Sequence, residues 1–72
     1  MRLRKALAGN LKRLRLAAKL SQEELAHLAD MDRTYVSSLE RGNYSATVDM
    51  LERIADALGV EPTELLCKDI LD

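Results

Sequence analysis

The chain has 72 residues, 47% of them apolar, and lacks phenylalanine and tryptophan, which bounds it to one small domain with a core of leucine, isoleucine, valine, alanine and methionine. Three glycines and one proline leave little material for long loops, and a single cysteine with a single histidine excludes an internal disulfide and a zinc cluster. The net charge of −1 conceals a polarised chain: residues 1–20 hold seven bases and no acid, whereas residues 21–72 hold 12 acids and four bases.

Leu3, Leu7, Leu11, Leu14 and Ala18 recur at helical spacing and predict a first amphipathic helix. Gly9 lies inside it at a cost of about 1 kcal/mol relative to alanine, so the helix is expected to be regular only from about Asn10, with residues 2–8 an extra turn or two. The stretch "SQEE" from Ser21 is a capping box, with the Ser21 hydroxyl and the Glu24 carboxylate each satisfying the other residue's backbone N–H. It opens a short second helix, ending near Ala29, with Leu25, Leu28 and Ala29 expected inward. Asp32 is the next N-cap. A third helix runs from about Arg33 to Arg41 and stops at Gly42, which can adopt the left-handed C′ conformation. After a loop, Thr47 or Ser45 caps a fourth helix that buries Leu51, Ile54, Ala55 and Leu58 and ends at Gly59. Pro62 suits a first helical turn, and a fifth helix is expected over roughly 62–68. The chain thus reads as all-α, five helices without strands or repeats, in a single domain over 1–72 with its core at about 8–67.

The second and third helices are separated by about three residues. Ala26 is small where two helices cross closely, Asp30 can take positive φ in the turn, and Met31, Val36 and Leu39 return to the core. This is helix-turn-helix geometry. With "LSQEELA", "YVSSLERG" and "LERIADALGV" in order, residues 8–67 resemble the Cro/C1-type (XRE, phage-repressor-like) helix-turn-helix family. The resemblance implies a compact five-helix, lambda-repressor-like domain that binds operator DNA as a dimer and regulates transcription. The compact single-domain form is similar to the controller proteins of restriction–modification systems; a phage or mobile-element repressor, or an antitoxin, would look much the same. Asp30 departs from the family's usual turn glycine, and Ala46 from a common proline.

An α-helix fits the major groove, and residues near its N-terminus reach base edges. Arg33 can bond both acceptors of one guanine, and Thr34 offers a hydroxyl and a methyl for thymine. Ser37 and Ser38 are short enough to let the backbone approach; the family position favours Ser38 as the base reader and Ser37 for the groove wall. Tyr35 suits base or phosphate. Phosphates are expected at helix N-termini and at free backbone N–H groups: Ser21 and Gln22 on one side, Asn43, Tyr44, Ser45 and Thr47 on the other. The resemblance implies that Gln22 grips the DNA backbone. Lys12, Arg13 and Lys19 could add charge, although the basic segment could instead pack beside the acidic ones and be neutralised. The resemblance also implies that Arg15 and Glu40 form a partly buried pair locking the third helix to the scaffold; the lesser alternative is two unrelated surface charges.

One such module reads too few base pairs for specificity, so a homodimer on two half-sites is expected. Its partner surface is sought on helices four and five, with Leu65, Leu66, Ile70 and Leu71. The same fold could also serve as a protein-interaction module that does not bind DNA. An enzyme is disfavoured, since no nucleophile–base set is clustered. No metal or cofactor is expected. His27 reads as an exposed mid-helix residue and Cys67 as a small hydrophobe. No apolar run approaches the roughly 18 residues of a membrane span, the basic N-terminus lacks a secretory signal's apolar stretch, and a cytoplasmic location is expected.

Overall fold

The computed structural model describes residues 2–67, which form five helices and, among the described residues, no strand. They are α1 (Arg2–Ala17), α2 (Gln22–Leu28), α3 (Arg33–Glu40), α4 (Val48–Leu58) and α5 (Pro62–Leu66). Each start has a local cause. Ser21 accepts from the Glu24 N–H while Glu24 accepts from the Ser21 N–H, completing the capping box. Asp32 accepts from the Thr34 N–H at 3.1 Å, and Thr47, not Ser45, caps α4 through the Met50 N–H. Proline opens α5.

The helix ends share one device. In each of α1 to α4 a residue in the left-handed region is followed by one whose N–H reaches back five residues: Leu20 to the Arg15 carbonyl, Met31 to Ala26, Asn43 to Ser38 and Val60 to Ala55. This is the Schellman arrangement. Gly42 and Gly59 supply the left-handed residue after α3 and α4, but Lys19 (φ 61°) and Asp30 (φ 56°) do so after α1 and α2. The stop after α1 therefore had no glycine to announce it.

The core is one cluster drawn from every helix: Leu7 and Leu11, Leu25, Ala26 and Ala29, Val36 and Leu39, Ile54 and Ala55, and Leu65. Burying each of the larger aliphatic side chains is worth about 1.5–3 kcal/mol. Met31 packs half-buried against this cluster, closing the turn between α2 and α3.

Several expectations are corrected. Helix α1 is continuous through Gly9, because Leu7 and Asn10–Leu11 are held in the interior on either side of it. Leu28 is 56% exposed rather than inward. At 3.6 residues per turn, Leu25, Ala26 and Ala29 centre the buried stripe, and Leu28 lies about 100° away from that centre. Leu3, one turn beyond Leu7, is also exposed, and Ala18 lies past the helix end. Leu65 is completely buried, so it serves the core and not a partner, whereas Leu66 is half-buried. Helix α5 ends at Leu66. Lys68, at the expected end of that helix, and Ile70 and Leu71 lie outside the described residues.

Candidate nucleic-acid interface

The interface is built around α3. Ala26 is buried where α2 and α3 approach, and the turn Ala29–Asp32 redirects the chain so that Val36 and Leu39 face inward. The opposite side of α3 is left to polar residues. Arg33 and Thr34 are exposed at its N-terminal end, and Ser37 and Ser38 are half-buried one turn later.

Glu40, at the end of α3, is where the helix is locked. Arg15 grips it with two N–H groups, Nε to Oε2 at 2.6 Å and Nη2 to Oε1 at 3.1 Å. The remaining arm of Arg15 donates from Nη1 to the Leu20 carbonyl at 2.7 Å. Gln22 adds a third donor to Glu40, Nε2 to Oε1 at 3.1 Å. The two charged side chains are only 9% and 5% exposed. The hydrogen bond to Glu40, with its charge, raises the Arg15 pKa further above its ordinary value against the opposing effect of burial. One carboxylate thus ties α3 to the end of α1 and the start of α2. Among the described residues this is the one ion pair, so the other α1 bases are not paired with acids there.

On the far side of α3, the Tyr35 hydroxyl donates to the Ser45 carbonyl at 3.1 Å and its ring lies 5.5 Å from that of Tyr44, tilted by 46°. Tyr35 therefore braces the loop that carries Asn43, Tyr44 and Ser45, all exposed. Ser21 and Gln22 stand at the start of α2, and Thr47 at the start of α4. Thr47 spends an acceptor lone pair on its cap and keeps the hydroxyl hydrogen for another partner, whereas the Ser21 hydroxyl also faces the Glu24 carboxyl. Lys12, Arg13 and Lys19 are exposed, and Arg13 Nη2 reaches Asn10 Oδ1 at 3.2 Å.

Three side chains gained roles that the sequence did not announce. Arg41 lies over Ser37 and Ser38 on α3. Arg53 of α4 donates from Nε to the Ala29 carbonyl at 3.0 Å and from Nη2 to the Asp30 carbonyl at 2.6 Å, bracing the turn. Asn10, buried in α1, donates to the Leu65 and Cys67 carbonyls at the end of α5. Only Asn10 left a trace in the sequence, as a polar residue among the apolar positions of its helix.

A short helix whose core side is apolar and whose outer side is polar, set after a tight turn on a supporting helix, defines the helix-turn-helix class of DNA-binding proteins. Residues 11–65 match the helix-turn-helix family model, and the chain belongs to that family. It is similar to the control protein C.BamHI of Bacillus amyloliquefaciens, with 47% identity over 49 residues, 68% of this chain and 60% of that protein. It is also similar to a Neisseria meningitidis hypothetical transcription factor, with 44% identity over 64 residues, 89% of this chain and 60% of the relative. The chain thus spans about three-fifths of the length of both relatives. The crystal structure of the restriction–modification controller protein C.AhdI from Aeromonas hydrophila superposes with a TM-score of 0.83 at 40% identity, covering 86% of this chain and 94% of that one.

Proposed function

We propose that the protein is a sequence-specific, dimeric DNA-binding regulator of transcription, acting on an operator with two half-sites as a restriction–modification controller. The observation that carries this reading is the exposed N-terminal end of α3, with Arg33 and Thr34, on a helix fixed to its scaffold by Arg15, Glu40 and Gln22. A base-reading helix must be rigid, because a bidentate arginine–guanine contact worth about 1–3 kcal/mol of discrimination depends on geometry. Arg33 and Thr34 read the first bases, and Ser38 reads deeper along the groove. Ser37 and Tyr35 line its wall.

Ser21 and Gln22 take one phosphate strand, and Asn43, Tyr44, Ser45 and Thr47 the other. The Gln22 amide has two hydrogens, one held by Glu40. The ion-pair cluster therefore also aims the second hydrogen at the DNA backbone. Exposed Lys12 and Lys19 add long-range attraction.

The partner protomer docks on the side of α4 and α5, where Val48 is exposed and Met50, Leu51, Leu58 and Leu66 are half-buried. Such a dimer places its two α3 helices about 34 Å apart, one turn of DNA. This role belongs with the genome, in the cytoplasm. The similarity to C.BamHI and C.AhdI supports the controller assignment over the phage-repressor and antitoxin readings.

A gel shift at low salt with random-sequence DNA, wild type against Arg33→Ala, tests the reading, followed by selection of bound oligonucleotides. Wild-type binding is expected, with a dyad-symmetric selected site and a log K against log[salt] slope of about −4 to −5 for four to six phosphates. Arg33→Ala should lose preference at one base pair per half-site. Absence of binding by both proteins would favour a protein-interaction module.

A further inference from the structure

We infer that Arg41, which holds Ser37 and Ser38, sets the hydrogen-bonding sense of Ser38 and makes it a reader of base edges that accept hydrogen bonds. This deepens the proposed function and rests on α3 being the helix that faces DNA. Arg41 follows the last residue of α3, three and four positions beyond the two serines, so the three side chains share a flank of the helix. Its guanidinium donates from Nη1 to Ser37 Oγ and from Nη2 to Ser38 Oγ, the second at 3.3 Å.

A serine hydroxyl alone is indifferent: it can donate its hydrogen or accept at two lone pairs, and it reads any base edge. A guanidinium on the oxygen removes that indifference. One lone pair is occupied, and the nearby positive charge opposes a second incoming donor. The same charge polarises the O–H bond and strengthens its donation. Ser38 is thereby turned towards guanine N7 or O6, adenine N7 and thymine O4. Cytosine presents only its N4 amino donor in the major groove, so it is the base excluded most strongly. Arg41 thus acts as a specificity-determining residue through the serines.

The test uses the intact chain and oligonucleotides selected by the wild type. The base pair read by Ser38 is identified as the one whose preference disappears in Ser38→Ala. Wild type should favour guanine, thymine or adenine there over cytosine by roughly fivefold, the worth of one net hydrogen bond. Arg41→Met should erase that preference at the same base pair, leave the Arg33-dependent preference intact, and have no further effect in the Ser38→Ala background. Arg41→Lys, which keeps the charge without the fork, should retain at most part of the preference. Arg41 is exposed, so the fold should survive; equal melting temperatures and far-UV spectra check this. A uniform loss across all sequences with a salt slope shallower by about one would make Arg41 a plain phosphate contact and overturn the inference. An unchanged Arg41→Met profile, or a Ser38-dependent preference for cytosine, would overturn it too. Failure of the wild type to select any sequence would instead overturn the DNA-reading role itself.

Discussion

Replacing Glu40 by alanine removes the acceptor on which three N–H groups converge: two from Arg15 and one from Gln22. Arg15 would stay behind with its charge 9% exposed and one remaining hydrogen bond, to the Leu20 carbonyl. Breaking one side of a buried pair costs about 3–5 kcal/mol. At 0.05–0.15 kcal/mol per residue, a chain of this length has only roughly 4–11 kcal/mol of folding stability. The expected loss is therefore a large part of the total, a drop in melting temperature of at least ~12 °C. Glu23→Ala removes an exposed carboxylate two residues into α2 and should move the melting temperature by no more than a few degrees.

Thermal unfolding followed by circular dichroism compares the two variants. The double replacement Arg15→Met with Glu40→Leu separates geometry from charge. Removing both charged groups relieves the stranded cation, so the double variant should be more stable than Glu40→Ala alone. It should still bind operator DNA more weakly than wild type, because Gln22 has lost its orienting partner. Equal melting temperatures for Glu40→Ala and Glu23→Ala would refute the reasoning that this cluster holds α3 in place.

Gly9→Ala should stabilise the protein by about 0.5–1 kcal/mol, seen as a higher urea midpoint: a Cβ there meets nothing within 4 Å, and the position is helical. Arg53→Met should cost about 1–2 kcal/mol by leaving the Ala29 and Asp30 carbonyls without their charged donor, and hydrogen exchange should quicken first at the turn between α2 and α3. The Ser21 backbone N–H, and then the Ser21 hydroxyl, hold the Glu24 carboxyl below its ordinary value of 4.5. A lowered folded-state value means stability that is complete above the unfolded value and is lost as pH falls through the lowered one. The melting-temperature gap between wild type and Glu24→Ala should accordingly be widest near neutral pH and narrow in acid; a gap that widens on acidification would contradict the capping box.

The sequence by itself determined what depends on spacing along the chain. Apolar residues at helical intervals, the capping residues Ser21 and Asp32, a cap at Thr47 or Ser45, and the stops at Gly42 and Gly59 act within one turn or between neighbours, so five helices and their order were legible in it. So was the polar outer side of α3, since Val36 and Leu39 fix which side faces inward. Tertiary structure alone decided what depends on which helix lies opposite. It exposed Leu28 and buried Leu65, because the direction of each stripe is set by the packed neighbours. It carried α1 through Gly9, because core contacts on both sides outweigh a local penalty of about 1 kcal/mol. It also brought together side chains far apart in sequence: Arg53 with the turn, Asn10 with α5, and Arg15 with Glu40, a pair that the family resemblance had implied but no local spacing did. Hydrogen bonds of that kind form only once the backbone has folded, and no local pattern encodes the pairing.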